Sequence, residues 1–359
     1  MRSLPITLEG VRRVLLIKPS ALGDVVHTLP VVATLRARYP ALVLDWLVEE
    51  EAAPLVEGHP AVAEVIVSRR RRWLKALRQP GDAPGAVRAI AGFARQLHRR
   101  QYDVALDLQG LLKSAVYVLA AGAPIRVGLA DAREGAGLIY THRVPVPPQP
   151  VHAVERYLAL AAAVGAGAAV RDFTIPFAET DRKAAAACAA GLPRPLAVLH
   201  PAARWPTKLW PTDRWRALAT ALTEDGWGVL VTGSPADAPL AAAISDGLGP
   251  RCRSLAGGLS LKELAALLGR VDVMVTVDSG PMHIGAAMGA PIVALFGPTD
   301  PARTGPLGVH RIVREPLECA PCLSRTCRIR DTNLCMRALE TSEVLAAVHE
   351  LASARKTTT

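Results

Sequence analysis

The chain predicts an α/β protein built as two Rossmann-like units, each a parallel sheet covered by helices on both faces. Three observations carry that expectation. Short apolar runs of strand length alternate with segments of helical period along the whole sequence. The order of elements in the first half recurs in the second. At 359 residues the chain exceeds one ordinary core, and half of it is hydrophobic with only 4% aromatic residues, so Ala, Leu and Val carry the apolar mass.

VLLIKP (Val14 to Pro19) reads as a buried strand, followed by a Ser/Gly/Asp turn and a helical pattern that places Val25, Val26, Leu29, Val32 and Leu35 inward. LVLDWLV (Leu42 to Val48), EVIV (Glu64 to Val67) and DVALDL (Asp103 to Leu108) are further strands, with helices expected near Ala86 to Arg99 and Leu111 to Ala121. VPVPPQP (Val144 to Pro150) ends a run of elements, but the helical HAVERYLALAAAVG after it still suits the first sheet. The boundary is therefore expected between Arg171 and Pro195, giving units 1–180 and 181–359, with the last helix able to pack back on the first.

The second set begins with LAVLH (Leu196 to His200) and continues through a helix from Asp213, the strand GVLVTG (Gly228 to Gly233) and helices near Leu240 and from Leu261. The strands VDVMVTVD and PIVALFG follow, then a final helix over Thr341 to Leu351 and a frayed tail over Ala352 to Thr359. Two such units facing each other across a cleft are expected to bind ligands at the carboxyl ends of their strands. Neither a Gly-rich dinucleotide fingerprint after the first strand nor a Walker lysine loop is present, against a dehydrogenase or ATPase.

The formal charge of +10 arises from 42 basic and 32 acidic residues, densest at Arg69 to Arg72. Nucleic acid, an anionic membrane surface, a phosphorylated substrate or simple solvation would each suit it. No charged n-region followed by an apolar stretch opens the sequence, and the weakly polar Leu158 to Val170 is too short for a bilayer, so a cytoplasmic protein with at most peripheral membrane contact is expected. Six cysteines in such a setting argue against a disulfide framework. Four of them, Cys319, Cys322, Cys327 and Cys335, number enough for zinc or an iron–sulfur cluster, though their spacing matches no standard pattern of either; a reduced loop or an opportunistic disulfide is the alternative.

Two acidic residues follow corresponding strands. Asp24 lies after the first strand and a Gly-containing turn, where a carboxylate serves either as a helix cap or as a catalytic base. In VTVDSGPMHIGAAMGAP, Asp278, Ser279 and Gly280 open a helix carrying His283, an arrangement suited to a donor phosphate. Lys208 sits between two tryptophans in the loop PAARWPTKLWP after His200, where a lysine meets a diphosphate or merely solvent.

In their order these segments resemble the lipopolysaccharide core heptosyltransferases, inverting enzymes of the glycosyltransferase B fold. The resemblance spans nearly the whole chain and rests on IKPSALGDVVHTLP, DWLVEE, DLQGLLKSA, HAVERY, KLWP, VDSGPMH and LFGPTDP. Gln109 to Ser114, Ala132 to Glu134 and His152 to Arg156 look more like the first heptosyltransferase than the second. The resemblance implies Asp24 as general base, and Lys208, Asp278, Ser279, Gly280 and His283, with Asp237 at the ribose, as binders of ADP-heptose. It implies a lipid A-type acceptor bearing Kdo at the inner-membrane surface, for which Arg69, Arg70, Arg72, Lys75, Lys113 and Arg133 are the docking candidates. Ala202 and Ala203 depart from the family's first enzyme, which carries hydroxyl residues there. With no DxD-like motif, no metal or other cofactor is required. A second-heptosyltransferase activity, a sugar-nucleotide epimerase or hydrolase on the same architecture, and a basic nucleic-acid or membrane-surface binder are the alternatives. The last lacks any nucleic-acid motif.

Overall fold

The computed structural model describes residues 6–329 and 333–356, and side chains only as far as residue 354. The chain divides into two compact units, Met1–Pro176 and Phe177–Thr359.

In the first unit the strands are β1 (Arg13–Ile17), β2 (Val43–Glu49), β3 (Glu64–Ser68), β4 (Val104–Asp107), β5 (Ile125–Leu129) and β6 (His142–Val144). The helices are α1 (Leu22–Val26), α2 (Leu29–Arg38), α3 (Arg70–Leu77), α4 (Ala83–Arg99), α5 (Leu112–Ala121) and α6 (Ala153–Ala163). The strands form one parallel sheet in the order β3-β2-β1-β4-β5-β6. Strand order reverses between β1 and β4, where Ile17 lies beside Asp107, so the loops after these two strands diverge and leave a crevice at the carboxyl edge.

The apolar pattern over Val25 to Leu35 forms two helices rather than one, and all five expected inward residues are buried. The break falls at His27 and Thr28 because Pro30, which has no N–H to donate, begins a new helix, while Thr28 Oγ1 donates to the Asp24 carbonyl at 2.9 Å. The sequence pattern missed β5 and β6, whose alternation is interrupted by Arg126, Gly128 and Arg143 near the sheet edge. It also gave no helix over the arginine run, which forms α3 with no buried residue.

The second unit comprises α7 (Glu179–Ala189), β7 (Leu196–His200), α8 (Thr212–Glu224), β8 (Gly228–Val231), α9 (Ala238–Ser245), β9 (Cys252–Ser254), α10 (Leu261–Leu268), β10 (Val273–Val277) and α11 (Gly280–Ala287). It continues with β11 (Ile292–Phe296), α12 (Pro301–Thr304), β12 (His310–Arg314), α13 (Leu334–Arg337) and α14 (Thr341–Lys356). Its sheet is again parallel, ordered β12-β11-β10-β7-β8-β9, the topology of the first unit. The reversal lies between β7 and β10, with His200 beside Thr276. The short edge strands β9 and β12 lack a continuous apolar run and were not legible in the sequence.

α7 packs on α10, which draws the division to Pro176, four residues before the expected one. α14 packs on α8 and on β10 to β12 of its own unit, burying Val344, Ala347, Val348 and Leu351 beside Trp215. It continues through Lys356 where a frayed tail was expected; residues 357–359 of that tail lie outside the described residues.

Candidate active site

Asp24 occupies the third position of α1, directly beyond β1 at the switch point of the first sheet. It is not the N-cap, which is Ala21, but its Oδ2 accepts from the Ala21 amide at 3.2 Å. The other carboxylate oxygen, Oδ1, accepts from the Tyr157 hydroxyl at 2.7 Å. That hydroxyl in turn accepts from Lys18 Nζ at 2.7 Å, and Lys18 also donates to the Leu108 carbonyl at 3.2 Å. Because the ammonium supplies the proton on one side of the phenol oxygen, the phenol proton must point to Asp24.

Lys18 is buried at 2% exposure, which lowers its pKa, while the negative charges of Asp24 and Asp107 act in the opposite sense. Its Nζ lies 3.7 Å from Asp24 Oδ2 and 4.3 Å from the centroid of the Tyr157 ring. Burial, and then Asp24, pushes the Tyr157 phenol well above its ordinary range, so it remains a donor. Asp24 keeps 35% of its side chain exposed, so a buried cation and a fixed phenol orient a carboxylate that remains accessible.

The neighbouring loop after β4 is organised by Asp107. Its carboxylate accepts from the Gln109 and Gly110 amides, from Ser114 Oγ at 2.8 Å and from Tyr140 at 2.7 Å. Gly110 takes φ of +66°, a left-handed backbone shape that favours glycine, with Ala132 at ordinary contact distance, 3.5 Å, from the position a Cβ would occupy. The Gly110 carbonyl accepts from the Arg133 amide, which anchors that candidate beside the start of α5.

Lys113 Nζ donates to Ser20 Oγ at 2.6 Å, in the turn that leads to Asp24. Burial lowers its pKa, against the opposing pull of Glu49 and Asp24. The arginine run is heavily ion-paired: Arg70 meets Glu49 at 2.8 Å, Arg71 meets Glu49 and Glu51, Arg72 meets Glu50 at 2.7 Å and Arg69 meets Glu50 at 3.9 Å. The structure thus groups Asp24, Lys113 and Arg70, while Arg69, Arg72, Lys75 and Arg133 are exposed. Trp73 packs against Phe93 with ring centroids 5.1 Å apart.

In the second unit Lys208 Nζ lies 2.6 Å from Asp278 Oδ2 and 3.3 Å from the Asp278 carbonyl, over the Trp205 ring at 4.8 Å. Asp278 follows β10 directly, and Ser279 is the N-cap of α11 with no side-chain cap bond of its own; its Oγ lies 3.4 Å from Thr276 Oγ1. Gly280 starts the helix and His283 is buried one turn in. Across the switch point His200 is buried, with Nδ1 3.0 Å from Thr232 Oγ1, and burial depresses its pKa to about 4. The charge of Asp237 acts weakly against that depression, and its Oδ2 is held by the Ser234 amide and hydroxyl at 2.8 and 2.6 Å.

Residue patterns did not single out Lys18, Tyr157 or Arg325. The Arg325 guanidinium also lies over the Trp205 ring, 5.3 Å from its centroid, and Thr207 Oγ1 donates to the Ser324 carbonyl, so the cysteine-bearing loop is tied to the Lys208 turn. The four cysteines of that loop carry free thiols. Among the described residues no group of three or more His, Cys, Asp or Glu side chains is placed to hold a metal ion.

Two Rossmann-like sheets, one with an oriented carboxylate at its switch point and the other with a lysine and a helix N-terminus at the equivalent place, define a glycosyltransferase of the B fold. The chain belongs to glycosyltransferase family 9, the heptosyltransferases, whose family model matches residues 90–332. It is 38% identical to lipopolysaccharide heptosyltransferase 1 of Pseudomonas aeruginosa, over 89% of this chain and 88% of that protein. The structure of Escherichia coli heptosyltransferase WaaC with ADP superposes with a TM-score of 0.76 at 29% identity, covering 94% of this chain and 99% of that one. The same enzyme with ADP-2-deoxy-2-fluoro heptose gives 0.70 with equal coverage. Escherichia coli ADP-heptose lipopolysaccharide heptosyltransferase II gives 0.74 at 26% identity, covering 96% and 99%.

Proposed function

We propose that this enzyme transfers L-glycero-D-manno-heptose from ADP-heptose to Kdo-lipid A in assembly of the lipopolysaccharide inner core, with inversion at the anomeric carbon. The similarity to a heptosyltransferase 1 over most of both chains supports the reaction, and the relative solved with an ADP-heptose analogue supports the donor. The observation that carries the mechanism is the geometry of Asp24. One oxygen is held by Tyr157 and the other faces Lys18 and the Ala21 amide, which aims the group without burying it.

In this mechanism Asp24 accepts the proton of an acceptor hydroxyl as that oxygen attacks the anomeric carbon. The bond to the diphosphate oxygen breaks on the opposite face, so configuration inverts once. Negative charge grows on the departing diphosphate. Lys208 and the amides at the start of α11 stabilise it, a task that in other enzymes falls to a metal ion. Asp278 positions the Lys208 ammonium, and His200, neutral near pH 7, accepts or donates a single hydrogen bond without adding charge.

Lys113, Arg70 and the exposed arginines of α3 receive the carboxylates and phosphates of the acceptor. Glu49, Glu50 and Glu51 hold these guanidiniums until the acceptor's anions displace them. Such an acceptor is membrane-bound, and we place the enzyme on the cytoplasmic face of the inner membrane by peripheral contact. Among the described residues no helix is long and apolar enough to cross a membrane.

The test is incubation with ADP-heptose and, in parallel, Kdo-lipid A, heptosyl-Kdo-lipid A or no acceptor, with products read by mass spectrometry. Addition of one heptose to Kdo-lipid A is expected, with little donor turnover alone. Transfer only to the heptosylated acceptor reassigns the enzyme to the second step, and donor consumption without any acceptor overturns the transferase mechanism.

A further inference from the structure

At the opposite, amino-terminal edge of the first sheet lies a cavity of about 510 Å³ lined by Arg13, Gly92, Arg95, Gln96, Arg99 and Arg100. Arg13 is the first residue of β1 and Asp24 lies beyond its last, so five residues of extended strand, roughly 17 Å, separate this cavity from the catalytic end. Four of the six lining side chains are arginines and none is aromatic. Gly92, Arg95, Gln96 and Arg99 share one face of α4 at helical spacing, and Arg13 and Arg100 close the other side.

Two of the arginines are fixed from behind. The fully buried Asp45 meets Arg13 Nε at 3.0 Å and Arg100 at 3.6 Å, and Arg100 also pairs with Glu64. Tyr102 donates to Asp45 at 2.8 Å and carries the Arg13 guanidinium over its ring. Asp103 is occupied by the Arg12 and Arg13 amides. Arg95 and Arg99, in contrast, are exposed and make no ion pair with a carboxylate among the described residues. Two anchored guanidiniums and two without a carboxylate partner therefore converge on one space, Arg95 Nε donating to the Ala91 carbonyl of its own helix at 3.3 Å, an arrangement that suits the several oxygens of a phosphate group.

Local stability does not account for these residues. Gly92 is interior to a 17-residue helix, where glycine costs about 1 kcal/mol relative to alanine. A Cβ at this position would meet nothing within 4 Å, so packing does not demand glycine. Arg95 and Arg99, four residues apart, repel each other along the same face. A bound anion offsets that repulsion, and the missing side chain keeps the space open for it.

We propose that this cavity is a second anion site, separate from the donor and acceptor sites, that takes a compact polyphosphate of pyrophosphate or sugar-diphosphate size. The volume accommodates such a molecule, and the absence of an aromatic wall disfavours a nucleobase. The exposed Arg95 and Arg99 supply recognition, and the anchored Arg13 and Arg100 supply a fixed floor.

The test is calorimetric titration of the full chain with pyrophosphate, in a Lys208→Ala background that weakens the donor site. One site is expected there, lost or weakened at least about 100-fold when Arg95→Ala and Arg99→Ala are added, since each removes charge-assisted hydrogen bonds. Gly92→Leu, which fills the cavity from a position with open space, is expected to abolish the same binding. Heptose transfer by the Arg95→Ala, Arg99→Ala double variant with Lys208 intact should match the wild type, which separates this site from the active site. Pyrophosphate binding that survives all three substitutions, or no binding in the Lys208→Ala protein, overturns the proposal. So does an arginine-dependent loss confined to phosphatidylglycerol vesicles with pyrophosphate binding unchanged, which would make the arginines a lipid contact.

Discussion

The Tyr157 hydroxyl donates to Asp24 Oδ1 at 2.7 Å, although 133 positions separate the two residues in sequence. Lys18 completes the line from the other side of the phenol. The proposed base is thus held by a strand end and by a helix that enters the unit only after the sixth strand.

Replacing Asp24 with Asn removes the proton acceptor while preserving size. Transfer should fall by about 10²- to 10⁴-fold, with the dissociation constant for ADP-heptose nearly unchanged. Rapid-quench turnover and calorimetry check the two halves, and wild-type turnover in this variant refutes the base assignment.

Tyr157→Phe tests positioning rather than proton transfer. The phenyl ring keeps its place over Lys18, but Asp24 loses its fixed donor, so kcat should drop roughly tenfold with little change in donor KM. An increase in donor KM alone, or no kinetic effect, would show that the phenol only fills space.

Lys208→Ala deletes the cation beside Asp278 and leaves that carboxylate, 7% exposed, without its counter-ion. Donor affinity should weaken by about 30-fold or more, and Lys208→Arg should restore only part of it because a planar fork does not reproduce a compact ammonium. Equilibrium binding of ADP to both variants reads this directly.

The arginine run should divide by burial. Arg70→Ala uncovers Glu49, a carboxylate only 3% exposed, and is expected to cost about 1–3 kcal/mol in denaturant melts. Arg72, 70% exposed, should cost less than about 0.5 kcal/mol on replacement by Ala while raising the acceptor KM. Equal stability losses at both positions would contradict the distinction.

His200 links stability to pH. Its ring binds a proton near its ordinary value of 6.5 when unfolded but only at about 4 when folded, so the unfolded state takes up more protons as pH falls through this window. Stability is fully present above the unfolded value and declines on acidification, by about 1.5 kcal/mol between pH 6.5 and 5. His200→Asn should flatten that slope in urea melts at the two pH values; an unchanged slope would assign it to other groups.

The sequence by itself determined the two repeated α/β units and the loops that carry Asp24, Lys208 and Asp278. A parallel strand buried on both faces must be apolar along its length, so β1, β7 and β10 announce themselves and the loops that follow them are visible. β5, next to the sheet edge, and the edge strands β6, β9 and β12 were missed for the same reason, since they are only partly covered.

Only the tertiary structure decided which polar groups meet. Lys18, Tyr157 and Asp24 come from distant segments, and a buried ammonium persists because the fold supplies a carbonyl, a phenol and a carboxylate where water has been removed. The arginines of α3 read as free charge in the sequence, yet they meet Glu49 to Glu51 because β2 and β3 are neighbours in the sheet. Periodicity records which face of an element is buried. The partners of a desolvated polar atom are set by loops converging at the sheet edge, and local pattern carries no trace of that convergence.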